Sequence, residues 1–149
     1  MSKLRIHELS KRIKGKDQPA TWVDCAPMSQ GRCLFAATVL NNFIYVYGGI
    51  ASSKNNKPTL VDKLVERYDV ALNKWANIVV ENAPSLAAFG WTLGPKEGEL
   101  LVLGGSNGLE LTSELWSIDL KSGKAMNTDI EYESATSLCK LSTYKPNDK

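Results

Sequence analysis

The 149-residue sequence holds a single histidine, His7, and three cysteines, Cys25, Cys33 and Cys139, none of them close to another. An odd number of widely spaced thiols fits neither a disulfide framework nor a zinc knuckle, so reduced, structural cysteines are expected. With one histidine there is no His/Cys or His/Asp cluster at metal-ligand spacing, and no obvious acid–base pair for catalysis. Long hydrophobic runs are missing as well. The longest apolar stretches, such as Phe43–Tyr47 and Leu100–Leu103, fall far short of the roughly 20 residues of a membrane-spanning helix. Residues Met1–His7 lack the apolar stretch and small-residue cleavage site of a secretory signal, so the expectation is a cytoplasmic chain with no membrane partner. An excess of one charge sign is also absent: 18 basic and 16 acidic side chains leave a net +2, without the concentrated basic footprint of a nucleic-acid binder. The exception is Lys3, Arg5, Lys11, Arg12, Lys14 and Lys16, crowded into fourteen residues. This stretch reads as a solvated loop or strand edge, with contact to an acidic partner or membrane surface as the alternative.

What the sequence does contain is short strands, in a composition (43% hydrophobic, 23% charged) suited to a soluble globular chain. Period-two alternation, cut at short intervals by turn residues, predicts an all-β fold without a long amphipathic helix. Arg32–Leu40 reads as one strand, Asn41-Asn42 as a tight turn, and Phe43–Tyr47 as a second strand ended by Gly48-Gly49, which together make a hairpin. After a polar loop, Ser52–Pro58, a third strand spans Lys63–Val70, a turn follows at Leu72–Lys74, and a fourth strand spans Trp75–Val80. The order then recurs: strand Ala87–Leu93, turn Gly94–Glu99, strand Leu100–Leu103 ended by Gly104-Gly105, strand Glu114–Leu120, turn Lys121–Lys124. The two double glycines stand 56 residues apart, close to the period of about 50 found for some four-stranded propeller blades.

These residues resemble the kelch family, in which an apolar strand runs into Gly-Gly and is followed by a Tyr and, after six intervening residues, a Trp. The first unit matches through Phe43–Gly49, Tyr68 and Trp75, with Asp69 directly after the Tyr. The second is degenerate: Leu100–Gly105 fits, but Ile118 and Ala125 occupy the Tyr and Trp positions, with Trp116 two residues early. The resemblance implies kelch-type β-propeller blades of four antiparallel strands in an incomplete ring, with Gly48, Gly49, Tyr68, Trp75, Gly104 and Gly105 as its structural motif. Paired glycines at the end of an inner strand permit positive φ and a close backbone approach. Tyr68 and Trp75 are expected to bury their rings between adjacent blades. Gly104–Gly108 superficially resembles an anion-binding loop, but no Gly-Lys-Ser/Thr ending or following helix supports phosphate binding.

Four segments follow from this alignment: residues 1–25, outer strands of a partial blade with a basic loop; 26–80, a kelch blade; 81–130, a degenerate kelch blade; and 131–149, the first strand of a truncated blade. Trp22 stands where the Trp of a preceding blade belongs, so Thr21–Cys25 reads as an outer strand and Leu4–Leu9 as the strand before it. The rival reading is a short helix with Ile6, Leu9 and Ile13 on one face. Ala135–Tyr144 aligns with the first strand of a third unit. A closed ring needs at least four blades, or about 200 residues at this period. The chain is therefore expected to be a truncated product or fragment, to be completed by self-association or by another chain, or to stand as an open fan.

The function implied is a non-catalytic protein-binding or scaffold module with no catalytic residue, cofactor or metal site and no nucleic-acid partner. The alternative is a fragment of a kelch-like propeller enzyme whose active site lies elsewhere. Glu66, Asp69, Glu114 and Asp119 are expected to hold loops or face water. Binding residues concentrate on loops displayed by a rigid scaffold. Lys54, Asn55, Asn56 and Lys57 in the loop Ile50–Thr59, with Asn107 and Glu110 in the loop Ser106–Leu111, are thus the candidate partner-binding residues, placed on one face as a weakly basic patch. The alternative for either loop is that it only connects strands.

Overall fold

A two-stranded ribbon is marginal in water, and strands of this length gain stability by recruiting further strands and burying a face. The computed structural model describes residues 5–7, 22–52 and 57–131, and within them it contains strands, turns and loops but no helix. The first hairpin is β4 (Ala36–Leu40) and β5 (Phe43–Tyr47), turning through Asn41 and Asn42 at φ 49° and 65°. Positive φ at both central residues is what a two-residue hairpin turn matched to strand twist requires, and Asn tolerates it. β8 (Leu64–Asp69) and β9 (Lys74–Val79) complete a four-stranded antiparallel sheet in the order β4-β5-β8-β9. The second sheet repeats that order with β10 (Gly90–Leu93), β11 (Glu99–Ser106), β12 (Leu111–Asp119) and β13 (Lys124–Glu131).

Three departures from the sequence reading share a cause in backbone conformation. The expected strand Arg32–Leu40 is broken by Leu34 at φ 56°, which leaves β3 (Arg32–Cys33) to pair with β6 (Ile50–Ser52) and, beyond it, β7 (Pro58–Leu60) in a small separate sheet. The expected strand Ala87–Leu93 is broken in the same place by Ala88 at φ 55°, so that Ala87 forms only an isolated bridge to Ser106. Gly104-Gly105 does not end its strand. It lies inside β11, at a bulge between Leu103 and Gly105, and β12 accordingly starts at Leu111 rather than Glu114. A bulge admits an extra residue without terminating the ladder. At the N-terminal end, β1 (Arg5–His7) pairs antiparallel with β2 (Trp22–Asp24), His7 opposite Trp22, which favours the strand reading over the helix. Ala135–Tyr144 lies outside the described residues.

The core sits between the two four-stranded sheets. Cross-strand partners share a face, so Tyr47 and Val65 project together from the first sheet, with Tyr45 two residues along the strand. They meet Leu100, Val102, Ile118 and Leu120 of the second sheet and Val80, Ala83, Leu86 and Phe89 of the crossover between them, all buried. The Tyr47 and Phe89 rings lie 5.8 Å apart. Burying an aliphatic or aromatic side chain of this size contributes about 1.5–3 kcal/mol. The other face of the first sheet carries Tyr68 and Trp75, directly opposed in register, with ring centroids 5.0 Å apart. Tyr68 is 2% exposed, and burial pushes its hydroxyl up to about 12, with the neighbouring Cys25 thiol adding to the shift. Trp75 Nε1 donates to Ala26 O at 2.8 Å, and Asn73 Oδ1 accepts from both Tyr68 OH (2.7 Å) and Ala26 N (2.7 Å). The aromatic pair thus fastens the sheet to the segment that precedes it in the chain, not to the sheet that follows.

Main-chain bonds join the sheets. Gly49 N donates to Leu86 O (2.8 Å), Ala88 N to Leu34 O (3.1 Å), Glu81 N to Gly123 O (2.9 Å) and Ala125 N to Glu81 O (3.0 Å). Glu81 thereby forms a parallel bridge with Lys124.

Candidate partner-binding face

Antiparallel strands send their connections to two ends, and the two ends differ. At one end lie the tight turns. Asn41 Nδ2 of the first sheet donates to Glu97 Oε1 of the second at 2.9 Å, and Lys121 Nζ lies 3.0 Å from the same oxygen. The Asn41 hydrogen bond and the lysine hold the Glu97 carboxyl below the usual carboxylate range. Asp69 accepts from the N–H groups of Ala71 and Leu72 at 2.9 Å each, and Asp119 accepts from Lys121 (2.8 Å) and Ser122 (3.0 Å). These backbone donors lower the Asp119 pKa, Ser122 foremost. Both aspartates close turns, one of the two roles expected of them.

At the opposite end lie the double glycines. Gly48 and Gly49 sit at φ 67° and 93°, Gly104 and Gly105 at φ 64° and 97°. A Cβ on Gly48 would stand 2.7 Å from Leu86 O, on Gly49 2.5 Å from Cys33 O, and on Gly105 2.7 Å from Phe89 Cβ. Backbone conformation and closeness of approach therefore both call for glycine at these positions.

Beyond the glycines, the β6–β7 hairpin and the loop 106–111 lie side by side: Leu60 Cδ1 is 3.3 Å from where a Cβ on Gly108 would be. The loop is fixed by its own hydrogen bonds. Asn107 Oδ1 accepts from Leu109 N (2.9 Å) and Glu110 N (3.0 Å), Asn107 N donates to Glu110 O (3.2 Å), and Gly108 N donates to Ser106 Oγ (3.2 Å). So held, the loop presents Leu109 at 96% exposure. Between it and the crossover at Pro84–Leu86 runs an open cleft of about 580 Å³. The crossover wall is anchored too. Tyr47 OH donates to Pro84 O, and Ser85 Oγ donates to Asp62 Oδ1 at 2.5 Å. Burial, with the Asp62 carboxylate nearby, pushes the Tyr47 hydroxyl far above its ordinary value.

Of the candidate binding residues, Asn107 and Glu110 both line this cleft, the first chiefly as the loop's internal fastening and the second exposed. Lys57 is exposed beside the β6–β7 hairpin, while Lys54, Asn55 and Asn56 lie outside the described residues. The charge lining the cleft comes from Glu110 and Glu114.

One group escaped the sequence reading. Arg32 NH2 meets Glu66 Oε1 at 2.6 Å with both side chains 0% exposed. Ser29 donates to Glu66 from its N–H (3.1 Å, Oε2) and its hydroxyl (Oε1), and Arg32 NH1 reaches Gly48 O at 3.2 Å. Burial lowers the Arg32 pKa, and Glu66 opposes that shift. Glu66 does hold a loop, as expected, but from full burial. A signal was present: Glu66 shares a sheet face with Tyr68, two residues on, so its carboxylate had to point inward and find a cation. Among the described residues, no three His, Cys, Asp or Glu side chains are placed to hold a metal ion, and no helix is long and apolar enough to cross a membrane.

Four-stranded antiparallel sheets packed face to face, each with a double glycine on or directly after its second strand, define blades of a β-propeller. Residues 31–78 match the Kelch motif. The chain is 32% identical over 100 residues to Kelch-like protein 13 of Homo sapiens and of Bos taurus, covering 66% of this chain and 15% of each relative. It is 41% identical over 64 residues to Kelch-like protein 23 of Mus musculus, 43% of this chain and 10% of that one. The solved structure of YjhT superposes with a TM-score of 0.69 at 16% identity, over 83% of this chain and 45% of the other. The chain belongs to the kelch-repeat β-propeller family. It spans only about 15% of the length of Kelch-like protein 13.

Proposed function

We propose that the chain is a non-catalytic, kelch-type protein-binding module whose partner docks on the end of the blades that carries the loop 106–111. The observation that carries this reading is the hydrogen-bonded loop: four bonds hold a nearly fully exposed leucine beside an open cleft. Exposed apolar side chains on a rigid support give contact area at low ordering cost. The names of the Kelch-like relatives agree with a kelch module and leave its partner open.

Proximity labelling in cells that express the chain tests the reading. Leu109→Asp removes the apolar contact without touching the core, so stability is expected to stay within about 0.5 kcal/mol of the parent. The set of labelled proteins is expected to lose members relative to the parent and to a Lys121→Ala variant altered at the opposite end. Identical sets from all three would sink the assignment of the face.

The blades are proposed to work within a larger ring. The far face of the second sheet carries Leu101, Leu115 and Met126, the last 63% exposed, where a further blade would pack. Size-exclusion chromatography with light scattering across a concentration series separates the routes to closure. A discrete dimer or higher oligomer is expected if a second copy completes the ring, and monomer at every concentration rejects self-association.

A further inference from the structure

We infer that the cleft between the Pro84–Leu86 crossover and residues 107–114 takes a short peptide segment in which an apolar side chain stands next to a lysine or arginine. This rests on the protein-binding reading of the same face and specifies the chemistry of the partner. Three observations converge on it.

The first is size. A cleft of about 580 Å³ falls within the range of roughly 300–1,000 Å³ typical of ligand sites. It suits a few side chains of an extended segment, not a folded domain.

The second is the apolar rim. Leu109 and Leu111 are 96% and 49% exposed, and the half-buried Pro84 belongs to the facing wall. The loop that carries Leu109 is already ordered by Asn107 and Ser106, so a bound segment would not have to order it, and less free energy is lost on association.

The third is the sign of the charge. Glu110 and Glu114 line the cleft, and no described lining residue is basic, although the chain as a whole carries +2. The charge that lines the cleft is therefore opposite in sign to the net charge of the molecule. Complementary charge steers encounter and selects among partners, and like charge placed there is repelled. Glu114 Oε2 accepts from Trp116 Nε1 at 2.8 Å, which fixes the carboxylate's position and leaves its second oxygen as an acceptor. The exposed Glu110, its N–H and carbonyl both engaged within the loop, presents the other carboxylate. A guanidinium or ammonium one or two residues from an apolar anchor would meet both features at once.

The test is selection from a phage-displayed library of random 12-residue peptides on the immobilised full chain, followed by fluorescence polarisation of the enriched peptides. Enriched sequences are expected to place Lys or Arg within two residues of Leu, Ile, Met or Phe. Leu109→Asp and Glu110→Lys are each expected to weaken binding at least about tenfold, Leu109→Ala less, and Lys121→Ala not at all. Binding is also expected to weaken between low and high salt, because exposed charge pairs are screened. Circular dichroism confirms that each variant is folded. Enriched peptides that are acidic or lack a basic excess overturn the inference. Peptides that bind equally well to the loop variants overturn the cleft as their site but leave the protein-binding reading standing. No enrichment above that on an unrelated folded protein overturns both.

Discussion

Glu66→Ala in the full chain is expected to lower the free energy of unfolding by about 3–5 kcal/mol, and Arg32→Ala by a similar amount, because each leaves a buried charge without its partner. Domains of this kind are stable by only about 5–15 kcal/mol in total, so either change brings the fold close to its limit. The loss extends beyond one ion pair. Glu66 also accepts from Ser29 N and Oγ, and Arg32 also donates to Gly48 O, so the group ties the loop before β3, the double glycine and β8 together. The double variant Arg32→Met/Glu66→Leu removes both charges and fills similar volume. It is expected to be far less destabilised than the sum of the two alanine variants, since the uncompensated charge is gone. Urea denaturation of all four proteins checks this. Single variants costing less than about 1 kcal/mol, or a double variant that is strictly additive, would mean that the pair is solvated and does not act as a clamp.

The second large effect concerns the double glycine. Gly49→Ala places a Cβ at φ 93° and 2.5 Å from Cys33 O, with Phe35 Cβ at 2.9 Å. Left-handed backbone at a non-glycine residue costs about 1–3 kcal/mol, and overpacking against rigid neighbours adds a comparable amount, for a combined loss of about 3 kcal/mol or more. Gly98→Ala is the control. Its φ is 87°, but the new Cβ meets only the flexible side chain of Lys121, at 3.1–3.3 Å. That variant should therefore show the conformational part alone, about 1–2 kcal/mol. Chemical denaturation of the pair separates the two contributions. Equal losses would show that backbone strain, and not the contact with the Cys33 carbonyl, explains the glycine.

Much of this architecture was legible because it is written in pattern. Alternation in Phe43–Tyr47 and Leu100–Leu103, the Asn41-Asn42 turn and the recurrence of Gly-Gly each act locally, and a local cause can be read from a local stretch. The interruptions at Leu34 and Ala88 could not be read that way. Neither residue favours positive φ, and each adopts it because tertiary contacts, among them the Ala88 N to Leu34 O bond, outweigh local preference. The direction of Tyr68 and Trp75 was likewise hidden, because period two states that two faces exist without naming what covers each. Of the candidate site, the loop 106–111 was visible as a polar connection after Gly-Gly. The acidity of the cleft was not, because Glu114 sits on a strand and joins Glu110 only through the shape of the fold. Arg32 and Glu66 lie 34 residues apart in the chain, and only the folded sheet brings them together.

The joints between the two sheets have a consequence for how such proteins change over generations. Glu81 and Ala125 make their connections through main-chain atoms, which every residue other than proline can supply in full. A seam of that kind is indifferent to most of what the neighbouring units carry. The second unit has Ile118 and Ala125 where the first has Tyr68 and Trp75, yet the two sheets keep the same strand order and lie against each other. Units built in this way can be duplicated, exchanged or allowed to drift at their centres and rims while the seam stays unaltered, so that new binding loops can arise without a new scaffold having to be found.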